Sequence, residues 1–542
     1  MEGYLNATSP FLASLTGFDD QQAWLNNRQY VLLAGTGTIA IFVYLVNTVL
    51  AYITSFKAPV VGYRHFLEPG WLVGLRFGLQ ATPMIRDGYK NFKEGYFKVR
   101  RNDDELLIIP RRHVNDLRDV PESKLSGMEA HMRNMLAEYT IGNMHMMETS
   151  DLHRRAIQRK LTPLLGTLIP TLKDELDYAT RAEVAEAKDW APVSIDDLTV
   201  GIVSRISARI FVGPELCRNP EWLYLSVHFT ENLGYTRNIL RLFPKITRPI
   251  AARLMPSYWR IYQNLWAAQR LLRPIIAKRK SSIMNDPDYQ KPNDFLQWMM
   301  DDARPDEEHP NDIAHRQLLV SLAAIHTTSM SVSNFIYDLC AYPQYVEPLR
   351  DEIIRTLRED GGFKKTTLNK LRKMDSFLKE SQRLNPPLVL SFQRIVKTPL
   401  TLKDGTKIPT GTHLAMASDA ISHDPACLPG GGDPEVFDPF RYARLREEEA
   451  NKNKYQFATT DETNLHFGHG LYACPGRFFA SNEAKLILSH ILIMCDFKFH
   501  EGQTRPKNLS YEEACYPDPA VRVLMRRRTI PEKDISAMIL GN

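Results

Sequence analysis

The sequence predicts a mainly α-helical domain with small β-sheets, preceded by one N-terminal transmembrane helix. Three observations carry this. No charged residue lies between Arg28 and Lys57. From about residue 130 to 380 apolar residues recur at helical spacing. Strand signals are few. Of the 542 residues 44% are hydrophobic and 24% charged, which excludes a disordered or fibrous chain. A formal net charge of +5 is slight for this length and excludes a function built on nucleic-acid binding. The six cysteines are scattered, with no C-x-x-C, so neither a disulfide scaffold nor a zinc ribbon is indicated.

The apolar run from Val31 to Ile53 is long enough to cross a bilayer core of about 30 Å. Gly35 and Gly37 weaken it as a soluble helix but are tolerated in membranes. Before it stand Glu2, Asp19, Asp20 and a single basic residue, Arg28; after it come Lys57, Arg64 and Arg76. The positive-inside rule then makes residues 1–28 lumenal, 29–56 the anchor and 57–542 cytosolic, a single-pass endoplasmic reticulum arrangement. Asn6-Ala7-Thr8 is a glycosylation sequon on the lumenal side, whereas Asn508-Leu509-Ser510 faces the cytosol and is silent.

Past the anchor, Pro59 and the Gly/Pro-punctuated stretch to Trp71 read as a hinge with short extended pieces. A long helix is expected from about Asp312 to Leu339. Another follows Tyr342-Pro343, where Val346, Leu349, Ile353 and Leu357 form an apolar stripe. Leu402–Thr412 reads as a hairpin turning at Asp404-Gly405.

Four segments carry chemistry. In Phe467–Ala480, Gly468 and Gly470 make a tight loop before Cys474, and Gly476 opens a helix. A thiolate at a helix N-terminus meets free N–H groups and the positive dipole end, and glycines let the backbone approach a flat group. Haem-thiolate ligation requires this. A buried structural Cys, or a zinc site using His466, His469 and Cys474, is the competing reading. Glu380 and Arg383 share one helix face, and Arg441 lies in a later Pro-Phe-Arg segment. Ala323–Ser329 places Thr327 in the middle of the long helix, where threonines also bond back to the preceding turn. Arg394, Arg159 and Lys160 are basic residues that fit either a cofactor's carboxylates or a solvated face.

Phe467, Gly470, Cys474 and Gly476 resemble the haem-binding signature of the cytochrome P450 superfamily, with Tyr472 where that family usually has Arg or His. The resemblance implies the cytochrome P450 fold, haem b with Cys474 as axial iron ligand, and a buried Glu380–Arg383 pair completed by Arg441. It places Arg394, and Arg159 or Lys160, at the haem propionates. It implies an oxygen site at Thr327, where Ala324 and His326 replace the usual glycine and acid. His326 then either relays protons or packs on a neighbouring helix. Ala-Ala-Ile-His-Thr-Thr looks like the fungal subgroup of ent-kaurene-oxidase-like enzymes. The expected activity is oxidation of a hydrophobic terpenoid, indole-diterpene or polyketide in fungal secondary metabolism, with O2 and electrons from a membrane-bound NADPH reductase. NADPH itself acts only through that partner. Ala323, Val389 and Leu390 are the expected substrate contacts. Isomerase or peroxide-driven chemistry, or a non-catalytic haem sensor, stand as alternatives.

Overall fold

Ten helices position the site, and their starts are written in the chain. In the computed structural model, residues 55–142, 144–184 and 189–529 are described, together with positions 35, 38, 42 and 46. Those four positions and residues 55–56 apart, the expected transmembrane helix lies outside the described residues, as does Asn6. The helices are α1 (Gly70–Asn91), α2 (Gly127–Met135), α3 (Thr162–Glu183), α4 (Ile195–Phe211), α5 (Pro220–Leu240), α6 (Pro256–Asn285), α7 (Pro310–Ala341), α8 (Val346–Asp360), α9 (Arg372–Leu384) and α10 (Arg477–Met494).

Side-chain caps fix several starts by satisfying N–H groups that the first turn leaves free. Ser126 Oγ accepts from the Glu129 N–H at 2.8 Å at the head of α2. Asn219 Oδ1 accepts from Glu221 and Trp222, with Pro220 as the first residue of α5. Asp196 and Asp197 sit in the first turn of α4, where a carboxylate suits the helix dipole. Helix α8 ends at Gly361, whose φ of +68° is a left-handed position that glycine adopts without strain.

Helix α7 runs two residues beyond the expected span at each end. It packs on α4, α5, α6, α9 and α10. It is long and apolar enough to cross a membrane by composition, but most of it is buried in the protein, which makes it the core helix here. Its neighbours supply the main apolar cluster, in which Leu349, Ile353 and Leu357 of α8 are buried as their stripe predicts.

Strands β1 (Phe97–Arg100), β2 (Glu105–Ile108), β3 (Leu125–Ser126), β4 (Ala191–Ser194), β5 (Ser391–Val396), β6 (Leu400–Thr401), β7 (Lys407–Ile408), β8 (His413–Met416), β9 (Cys495–Lys498), β10 (Leu509–Tyr511), β11 (Ala514–Tyr516) and β12 (Arg522–Arg527) make four small sheets. The largest has the order β1-β2-β8-β5-β3, with β2 and β8 parallel and the other pairs antiparallel. The hairpin turns at Gly405 as expected, but its first arm is Leu400–Thr401, two residues before the predicted start. A second apolar cluster joins α1 to this sheet through Phe77, Val99 and Leu106. The described residues from Ala58 onward form one compact unit.

Candidate active site

The loop before α10 is held from both sides. The Cys474 N–H donates to the Phe467 carbonyl at 2.7 Å, closing the loop, and the Leu471 N–H donates to the Arg118 carbonyl at 2.8 Å. Gly470 has φ +71°, and a Cβ added there would stand 2.3 Å from the Arg118 carbonyl oxygen, so no other residue fits. Gly476 differs: an added Cβ would meet no protein atom within 4 Å. Packing within the chain therefore does not explain that glycine, whereas close approach of a flat group beside Cys474 does. Phe467 packs edge-on against Phe457, with ring centroids 5.4 Å apart.

Burial pushes the Cys474 thiol upward. Against this act the Gly476 N–H, the Arg477 charge and the Arg477 N–H. The sequence disclosed only the helix-end contribution; desolvation opposes it. His466 and His469 do not join Cys474. His466 Nε2 bonds Ser422 Oγ at 3.0 Å, and His469 Nδ1 bonds Thr460 Oγ1 at 3.1 Å. No cluster of three or more metal-ligating side chains occurs among the described residues, so the zinc alternative has no geometry behind it.

Arg394, on β5, is 5% exposed and has no ion-pair partner among the described residues. Its Nη1 donates to the Gln393 carbonyl at 2.7 Å, while Nε and Nη2 have no acceptor. Its guanidinium lies 4.4 Å from the centroids of both the Phe392 and Tyr472 rings. Burial lowers its pKa to about 10. A buried cation with two idle N–H groups fits a carboxylate that the protein itself does not supply. Arg154 also lies near the Tyr472 ring, 5.6 Å from its centroid. Arg159, one turn later, is exposed. The run of basic residues from Arg154 to Lys160 gave the sequence no register by which to single out Arg154, and a π-helical turn follows it at Ile157–Leu161.

These observations fit haem: a thiol at a glycine-opened helix start, and an unpaired buried guanidinium stacked on Tyr472, two residues before it. The family profile for cytochrome P450 matches residues 136–524. The chain belongs to the cytochrome P450 family. Its relatives include cytochrome P450 monooxygenase AN1598 of Emericella nidulans, 49% identical over 95% of this chain and 96% of the relative. Cytochrome P450 monooxygenase olcJ of Penicillium canescens is 48% identical over 94% and 95%. Ent-kaurene oxidase P450-4 of Gibberella fujikuroi is 42% identical over 90% and 95%. This P450 is thus an oxidoreductase of the monooxygenase kind, with haem as cofactor and electrons supplied by a reductase.

The remaining site residues of the P450 fall into two groups. Arg383 donates to both oxygens of Glu380, at 2.9 and 2.8 Å, and also to the Pro434 and Ser422 carbonyls. Arg441 Nε stands 3.6 Å from Glu380 Oε1, and its Nη1 donates to the Gly431 carbonyl at 2.6 Å. All three side chains are buried, so each charge keeps its partners at low dielectric. This knot ties α9 to the segment that leads into the Cys474 loop.

On α7, Ala323 and Thr327 lie one turn apart, and both are exposed although the helix around them is buried. Thr327 Oγ1 donates to the Ala323 carbonyl at 2.8 Å, which leaves its oxygen lone pairs to accept. His326 turns the other way, with Nε2 3.1 Å from the Val227 carbonyl of α5. Val389 and Leu390 are 1% and 0% exposed and pack into the cluster against α1. Leu388, one residue earlier, is the exposed member of that segment, at 44%.

Proposed function

We propose that this P450 hydroxylates a hydrophobic terpenoid, indole-diterpene or polyketide skeleton in fungal secondary metabolism, from the cytosolic face of the endoplasmic reticulum. The observation that carries the reading is the exposed Ala323–Thr327 edge on an otherwise buried helix: a small apolar side chain and one hydroxyl, with no charge to repel a hydrocarbon. Kinship with an ent-kaurene oxidase supports a terpenoid-like substrate. The membrane setting is supported by exposed apolar residues early in the catalytic unit, Phe66, Leu67, Trp71 and Leu79. Isomerase or peroxide-driven chemistry gains nothing from the site.

Haem held through Cys474 supplies oxygen activation with two electrons. Arg394, with Arg154 near the same Tyr472 ring, would hold the propionates and neutralise their charge. Thr327 Oγ1 keeps its proton, directed at the Ala323 carbonyl, and its lone pairs would accept a hydrogen bond from a water in the site. His326 supports the α7–α5 contact through Val227. The buried Glu380–Arg383–Arg441 knot keeps the loop rigid.

Thr327→Ala tests the oxygen site. It is expected to leave the substrate-induced spectral change intact while product formed per NADPH falls and hydrogen peroxide rises. Full coupling in the variant would sink the assignment. Product that needs neither NADPH nor reductase would establish peroxide-driven chemistry instead.

A further inference from the structure

Val227, Gly234, Arg237 and Arg241 share one face of α5 by helical spacing, with Arg241 as the C-cap. Contacts fix both ends of that face. The Val227 carbonyl stands 3.1 Å from His326 Nε2 of α7, next to the exposed Thr327. Arg241 donates to the Asn134 carbonyl of α2 at 2.7 Å and pairs with Glu512 in the β10–β11 turn. Between these ends a Cβ added at Gly234 would meet no atom beyond its own helical turn within 4 Å. Arg237 is half-buried there. Its Nε and Nη2 both donate to Asn238 Oδ1, at 3.0 and 2.8 Å, and Nη1 has no acceptor among the described residues.

Helix α2 packs on α5. Its His131 lies on the face that starts at Gly127, against Tyr472 and Arg394, and ends at Asn134, which accepts from Arg101 Nη1 at 2.9 Å. The His131 ring is exposed. Burial nevertheless lowers its pKa, with the Arg237 charge acting the same way, and burial lowers that of Arg237 against the Glu513 charge. A side chain that is accessible yet desolvated faces a space enclosed by protein, not bulk water.

We propose that Arg237 determines substrate specificity in this P450 by donating Nη1–H to a neutral acceptor oxygen, a ketone or lactone carbonyl, on an otherwise apolar substrate. The proposal deepens, and rests on, the reading of a hydrophobic skeleton beside the Ala323–Thr327 edge. A hydrocarbon seated against Arg237 would leave that donor desolvated and unpaired, whereas a carbonyl satisfies it with a charge-assisted hydrogen bond. A carboxylate suits the charges less well. Arg101 pairs with Asp103 and Glu513, Arg241 with Asp103 and Glu512, and Arg133 with Asp104. With Arg237, four guanidiniums balance the four carboxylates Asp103, Asp104, Glu512 and Glu513. Burial lowers the pKa of His413, beside Asp104, so it adds no charge at neutral pH. An anionic substrate would upset that balance, and a neutral one keeps it.

The test titrates haem-loaded full-length protein with androstane, and with the same skeleton carrying one ketone or one carboxylate, and reads the spectral change that binding induces at the haem. Wild type should bind the ketone about tenfold more tightly than androstane, and the carboxylate less tightly than the ketone. Arg237→Met should erase the preference by weakening the ketone alone, and Arg237→Lys should keep part of it. Equal binding of ketone and androstane by wild type, tightest binding of the carboxylate, or equal weakening of both neutral probes in Arg237→Met overturns the proposal, the last by showing a purely structural role. Gly234→Leu, which favours the helix and fills the space beside Arg237, keeps the test where Arg237→Met does not take up haem. It should weaken both neutral probes with the carbon-monoxide spectrum retained, and wild-type affinity for both overturns the proposal. The underlying reading fails distinguishably: if none of the three skeletons changes the wild-type spectrum, the hydrophobic substrate is wrong and the Arg237 contact falls with it.

Discussion

Cys474 is one thiol on which two opposed influences act. Burial favours the neutral form, while the Gly476 and Arg477 N–H groups and the Arg477 charge favour the anion. A haem iron bound there would tip that balance toward the thiolate. Cys474→Ala should abolish the long-wavelength absorption of the reduced, carbon-monoxide-treated protein and all turnover. Cys217→Ala, at a buried site in the main cluster, should leave that band in place. A surviving band in Cys474→Ala refutes the ligand assignment. At this scale the sequence was legible wherever geometry demands one residue type at one spacing, as for Gly470, whose cradle admits no Cβ, and the buried Glu380–Arg383 pair. It was illegible where several equivalent residues compete. Arg154 and Arg159 differ only in register, and whether His326 faced the pocket or α5 depended on a helix rotation that no neighbouring residue discloses. Val389 and Leu390 read as substrate contacts because they are apolar, but apolar residues serve a core equally well, and α1 claims them.

Elements in this protein are joined by buried ion pairs as much as by apolar faces. The segment before α7 is an example. Glu307 is 2% exposed and accepts from Arg155 Nη2 at 2.6 Å, from Arg304 Nη2 at 2.7 Å and from the Arg304 N–H at 2.9 Å, with Ser150 as a fourth donor. Burial pushes the carboxyl up, but these donors outweigh it and hold it at about 2, below its ordinary 4.5. A depressed carboxylate stabilises the fold above its unfolded pKa, and the contribution is lost as pH falls from about 4.5 toward 2. Glu307→Gln should therefore cost about 1–3 kcal/mol at pH 7. The gap to wild type should close near pH 2–3, as read by urea unfolding at the two pH values. A gap that does not change with pH would show that the loss is one of packing. Nothing in the sequence around Glu307 announces this, because its partner Arg155 is 152 residues away. By contrast α7, α8 and the Asp404-Gly405 turn were legible, since their signals are local: periodicity, proline at a start and a turn dipeptide.

At the scale of the whole molecule, the proposed membrane setting raises the question of what would hold this 542-residue oxidoreductase to a bilayer. The uncharged run between Arg28 and Lys57 argues for a spanning helix, and its flanking charges argue for a cytosolic catalytic unit. The catalytic unit carries apolar surface of its own: Phe66 is 92% exposed, Leu67 72% and Leu79 74%. Seating a Phe or Leu side chain in lipid is worth about 1.5–3 kcal/mol each, so a few of them retain a protein reversibly, whereas a spanning helix does so irreversibly. Removing residues 1–56 should thus convert an integral protein into a peripheral one, released from membranes by alkaline carbonate but still sedimenting with vesicles at neutral pH. Adding Phe66→Ser and Leu67→Ser to the truncation should move most of the protein into the supernatant, with the carbon-monoxide spectrum unchanged because neither side chain belongs to the Cys474 site. Full-length protein in sealed microsomes should lose its catalytic unit to added protease. Retention of the truncated protein through carbonate treatment would place the anchor elsewhere, and protection from protease would reverse the orientation.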